Sequence, residues 1–165
     1  MKISSFFRHL LSGRWQVARR FPRHSMSRIE AAIHQSESLH SGELRFAVEA
    51  GLDLPDLLSG TSAHERALQI FSQLRIWDTE HNSGVLIYLL LADNRVEIVA
   101  DRGIHARVGT ARWASICDAM QQKFRTNEFE SGVLEGIVAI TALLQQHFPA
   151  QRDNLNELPD HPVII

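Results

Sequence analysis

Val85-Leu86-Ile87-Tyr88-Leu89-Leu90-Leu91-Ala92 is the longest uninterrupted apolar run in the 165-residue chain. Eight residues fall far short of the ~20 that span a bilayer as a helix. The run instead reads as a central β-strand covered on both faces. Asp93-Asn94 follows as a tight turn, and Arg95 to Ala100 returns as a hairpin partner. Upstream, Glu43 to Glu49 alternates, with Leu44, Phe46 and Val48 on one side and Arg45, Ala47 and Glu49 on the other. That period of two predicts a strand with one well-buried face.

Helical signals surround these strands. Ser62-Ala63-His64-Glu65 is a capping box that opens a stripe of Ala67, Ile70, Phe71, Leu74 and Trp77. Ser27-Arg28-Ile29-Glu30 is a second such box, followed by Ile29, Ile33 and Leu39. Trp113, Ile116, Cys117, Met120 and Phe124 form another stripe, and 131–147 is apolar around much of its circumference. The spacing predicts helices near 25–41, 61–78, 111–126 and 131–147, and strands near 43–50, 84–92 and 95–101. A strand-helix-strand unit of this kind closes as a right-handed parallel crossover. The expected fold is α/β, a three-layer α/β/α sandwich with a small mixed sheet.

Composition bounds the rest. Hydrophobic residues at 44% and charged residues at 22% exclude disorder over most of the length. A single cysteine excludes an internal disulfide framework. The net charge of -2 divides unevenly: residues 1–28 carry seven basic residues and no acid, so the remainder carries -9. The expected organisation is a basic N-terminal segment over 1–24, a body over 25–149, and a polar, frayed tail over 150–165. Residues 3–20 could form one basic helix that docks on the acidic body, meets a partner, or touches anionic lipid through residues 2–23. With no signal-peptide h-region, the expected location is cytoplasmic, peripheral at the inner membrane in the lipid case. Basic and aromatic residues interleave only in the first 23 positions, too short a stretch for a nucleic-acid domain.

The expected topology gathers polar residues at one end of the sheet. Glu37, His40 and Glu43 enter the first strand, Asp78, Glu80 and His81 enter the second, and Asp101, Arg102 and His105 leave the third. Such a cluster suits a hard cation held by oxygen ligands, or a carboxylate tuned for acid-base work. The competing location is the carboxyl end of the parallel strands, at Glu49, Asp53 and Asp93. There is no phosphate-binding glycine loop, no nucleophile elbow and no zinc-binding His-Glu-x-x-His. Cys117 lies on an apolar stripe and reads as an inert thiol.

Asn82-Ser83-Gly84-Val85-Leu86-Ile87, the hairpin, and Val96 to Ile104 together resemble the TPM-domain family, which includes thylakoid-lumen phosphatase-like proteins and bacterial relatives. Phe129-Glu130-x-Gly132-Val133-Leu134-x-Gly136-Ile137 is similar to that family's last helices, so the likeness spans about 26–148. The resemblance implies an α/β sandwich, acid-phosphatase-like activity in some members and divalent-metal sites in others. Here Asn82 stands where the family's motif has an acid, Ser83 where it has an asparagine, and Thr110 near a further acidic position. The leading expectation is a binding or assembly module acting with a membrane-associated partner. The alternative is a metal-assisted phosphomonoesterase. In either case Glu80, Asp101, Glu37 and Glu43 are the candidate ligands for Ca²⁺ or Mg²⁺, and Arg102, His105 and Asn82 the candidate ligand-binding residues.

Overall fold

A computed structural model describes residues 3–150 and 156–165. β1 (Glu43–Glu49) and β2 (Gly84–Leu90) pair in parallel, connected through α4 (Leu54–Ser59) and α5 (Ala63–Gln73). A 3-10 turn at Leu91–Asp93, closed by Asn94 in the left-handed region, returns the chain into β3 (Arg95–Ala100), antiparallel to β2. β4 (Val163–Ile164) adds in parallel to the other side of β1, giving the order β3-β2-β1-β4. The apolar run is thus an interior strand, with every residue of β2 buried.

Alternation along the strands separates two cores. Leu44, Phe46, Val48, Val85, Ile87 and Leu89 meet one helical layer: α2 (Arg14–Arg20), α3 (Arg23–Glu37), α6 (Arg102–Val108), α7 (Thr110–Arg125) and α8 (Phe129–His147). Ala47, Leu86, Tyr88 and Leu90 meet α4, α5 and Leu158 on the opposite face. These are the three layers of the α/β/α sandwich. α7 and α8 approach closely because Gly132 and Gly136 leave room for Phe124 and Met120.

Several segments depart from the sequence reading. The helix beginning at Ala63 ends at Gln73 rather than near 78, because Arg75 takes a left-handed backbone (φ 52°). Trp77 therefore leaves the stripe and is 51% exposed, and Phe71 and Leu74 are only partly buried. The basic N-terminal stretch is two helices, α1 (Ile3–Leu10) and α2, with Gly13 at the start of the second. Val17 and Phe21 from this stretch sit in the core. Two stretches outside the expected helices and strands hold the short helices α4 and α6. The end of the chain is not frayed over its described residues: Leu158 is buried and β4 joins the sheet, while 151–155 lie outside the described residues.

Candidate functional site

The expected polar end of the sheet exists. Glu43 donates its N–H to Ser83 O (3.0 Å) and Asp101 donates its N–H to Gly84 O (2.8 Å), so the three loops converge. Three of their acids, however, accept main-chain N–H groups. Glu37 Oε1 accepts the Leu44 N–H at 2.8 Å, and Glu43 Oε2 accepts the Leu158 N–H at 3.1 Å. Burial pushes the Glu37 carboxyl up to about 9, and the neighbouring Glu43 and Asp160 carboxylates add to the rise. Burial raises Glu43 as well. Asp101 Oδ1 accepts the Arg102 N–H at 2.6 Å, capping α6. Glu80 is exposed, and its N–H donates to Glu157 Oε2 at 2.9 Å.

A cation site needs ionised carboxylates on one centre. Burial disfavours the ionised form of Glu37, while Glu43 and Asp101 accept separate main-chain N–H groups and the Glu80 carboxylate stands in solvent. Among the described residues no three His, Cys, Asp or Glu side chains come together as a ligand set. The expected ligand group of Glu80, Asp101, Glu37 and Glu43 is therefore spread over three loops rather than closed on one point. Of the other candidates, Asn82 adopts a left-handed turn (φ 50°) with its carbonyl against Gly103, where a Cβ would come within 2.9 Å of that oxygen. Arg102 is exposed at the first position of α6, with Asp78 and His81 also exposed.

At the carboxyl ends of β1 and β2 the competing acids are structural too. Tyr88 Oη donates to Glu49 Oε2 at 2.5 Å, and Arg66 bonds both Glu49 oxygens through Nε (3.0 Å) and Nη2 (2.9 Å). Burial and the adjacent Glu49 carboxylate push the Tyr88 phenol up. Asp53 caps α4 by accepting the Asp56 N–H. Asp93 receives Arg8 Nη2 at 3.0 Å and the His9 ring at 3.1 Å, clamping α1 to the β2–β3 turn. His9 Nδ1 accepts the Leu52 N–H, so Nε2 carries the proton given to Asp93.

An open feature lies elsewhere, along β3. Among the described residues β3 has a paired strand on one side only. Beside it runs a groove of about 570 Å³ bounded by His64 of α5 and by α7. Val96, Ile98, Trp113 and Cys117 line its apolar part, and Arg95, Glu97, Asp118 and Arg125 its charged part. His105 also lines it, with Thr110 Oγ1 3.5 Å from Nε2. Glu97 is shared between Arg95 Nε (3.1 Å) and His64 Nδ1 (3.3 Å). Burial pushes the Cys117 thiol up to about 11, which disfavours its thiolate form. Only His105 of the expected ligand-binding residues reaches it. The sequence signal was present in the charged alternation Arg95-x-Glu97, the pattern of an edge strand.

A small mixed sheet between two helical layers, with three loops meeting at one end, defines a compact α/β sandwich module. The TPM domain profile matches residues 18–143, and the chain belongs to the TPM-domain family. The BA42 protein of the psychrophilic bacterium Bizionia argentinensis, solved by NMR, is similar at 28% identity and a TM-score of 0.76, over 86% of this chain and 93% of that one. The N-terminal domain of a protein from P. gingivalis shares the fold at 19% identity and a TM-score of 0.62, over 79% and 82%. No curated protein matches the chain.

Proposed function

We propose that this TPM domain is a binding module that takes an extended peptide segment of a partner protein along the open edge of β3. The supporting observation is the groove itself: an edge strand flanked by α5 and α7, with apolar side chains from β3 and α7 next to paired charges. Unpaired main-chain groups of an edge strand give affinity to an added strand, and neighbouring pockets give selectivity. The phosphomonoesterase reading requires carboxylates that are ionised and convergent. Burial instead disfavours ionisation of Glu37, while Glu43 and Asp101 accept main-chain N–H groups and Glu80 stands apart in solvent.

The test is selection of a displayed random peptide library on the full chain, followed by NMR titration with a selected peptide. Shifts centred on the Ile98 and Cys117 amides, with binding abolished by Ala114→Trp, are expected; Ala114 is exposed and lines the groove. Peptides that map to another face would sink the reading. So would Mg²⁺- or Ca²⁺-dependent hydrolysis of p-nitrophenyl phosphate lost in Asp101→Asn, a change that keeps a capping oxygen.

A further inference from the structure

The N-terminal helices dock on the body yet leave large apolar side chains in solvent. α1 turns His9 inward, 3% exposed, while Phe7 (54%), Leu10 (50%) and Leu11 (71%) face out. Trp15 at the start of α2 is 61% exposed. Leu11, Trp15, Arg8, Arg19 and Arg20 line a shared shallow groove of about 350 Å³. Arg14, Arg19 and Arg23 are exposed, and their side chains make no hydrogen bond or ion pair among the described residues. A folded surface that presents four large apolar side chains beside unpaired arginines is an interaction face.

We propose that this face, built by α1 and α2, docks onto the surface of an anionic lipid bilayer. Charge complementarity supports that occupant: residues 1–28 carry seven basic residues and no acid, while the rest of the chain carries -9. An anionic surface attracts the first part and repels the second, so it orients the molecule with α1 and α2 toward the headgroups. The apolar chemistry selects lipid over nucleic acid. Phe7, Leu10 and Leu11 suit the boundary of headgroups and acyl chains, and Trp15 suits the interface. Single-stranded nucleic acid would stack on Phe7 and Trp15 but gain nothing from Leu10 and Leu11, whereas a bilayer takes up all four side chains. No helix among the described residues is long and apolar enough to cross a membrane, so the contact is peripheral. The face is distinct from the β3 groove, so the two readings stand or fall separately.

Removing the segment is not a clean test, because Val17 and Phe21 belong to the core. The experiment is co-sedimentation of the full chain with phosphatidylcholine vesicles, with and without phosphatidylglycerol, at low and high salt. Two double variants at exposed positions accompany it: Arg14→Glu with Arg19→Glu, and Leu11→Ser with Trp15→Ser. Pelleting only with phosphatidylglycerol, lost at high salt, is expected, with a drop of tenfold or more in the partition coefficient for each variant and unchanged circular dichroism. Each arginine near such a surface contributes roughly fivefold. No pelleting at low salt, equal pelleting with neutral vesicles, or pelleting unaffected by both variants would overturn the proposal. Retention of polyuridylate without vesicle binding would also overturn it, assigning the face to nucleic acid.

Discussion

His40 Nε2 lies 2.8 Å from Ser36 Oγ, and that bond runs in one direction only. Gly42 donates its N–H to His40 Nδ1, so the ring proton is on Nε2 and goes to Ser36. Ser36 and Thr141 share the next bond at 2.6 Å, and Thr141 Oγ1 donates to Ile137 O at 2.7 Å. The Ser36–Thr141 bond thus joins α3 to α8, the His40 imidazole of the following loop donates into it, and burial lowers that ring's proton affinity to about 4.

This relay predicts acid sensitivity. Between the unfolded value of 6.5 and about 4, the unfolded chain binds a proton that the folded chain does not. Stability from this group is therefore complete above pH 6.5 and lost as pH falls toward 4. Glu37, raised to about 9, acts with the opposite sign over the same range, so the readout is the difference between the wild-type chain and His40→Gln. In urea denaturation that difference should fall by about 2 kcal/mol from pH 7 to pH 5.

The Tyr88–Glu49–Arg66 contact predicts an asymmetry between partners. Arg66→Ala leaves a carboxylate that is 5% exposed without its bidentate cation, and should cost about 3–5 kcal/mol. Tyr88→Phe removes one hydrogen bond while the cation stays, and should cost about 1–3 kcal/mol. Denaturant titration of both variants checks the order, and a larger loss for Tyr88→Phe would contradict it.

Two glycines should respond very differently to alanine. At Gly84 a Cβ would meet the Ile76 carbonyl oxygen at 2.0 Å, a main-chain atom held between α5 and β2. Gly84→Ala is expected to abolish folding. At Gly136 the obstacle is the Met120 thioether, which can rotate away. Gly136→Ala should fold and lose about 1–3 kcal/mol. Thermal melts of the two variants decide the matter.

Cys117 should be slow to modify. With its thiol raised from 9.0 to about 11, the thiolate fraction at pH 8 falls about a hundredfold. Because a more basic thiolate is also the better nucleophile, reaction with a chromogenic disulfide reagent should lag a free peptide thiol by about tenfold or more. Groove occupancy by a peptide should slow it further.

How much of this was legible in the sequence depended on periodicity and length. β2 announced itself by eight unbroken apolar residues, and α5 by the Ser62–Glu65 box, which forms as written. β4 contributes two residues and α6 seven, too few for a period to emerge. Arg75 gave no warning of a left-handed turn, since nothing in its chemistry favours one. The convergence of Glu37, Glu43 and Asp101 at one end of the sheet followed correctly from strand directions. Their occupation by Leu44, Leu158 and Arg102 amides did not, because it depends on where the main chain leaves donors unpaired.

The attachment of β4 has a consequence in time. Leu158 reaches Glu43 across 115 residues, whereas β1 and β2 are linked through a single crossover. Closing so long a loop for a two-residue strand yields little reward until the rest of the sheet stands. The last strand is thus expected to join late in folding and to open early. In native-state hydrogen exchange the Ile165 amide, bound to Val48 O at 3.0 Å, should open well before the amides of β2, so the sheet loosens from its β4 side inward.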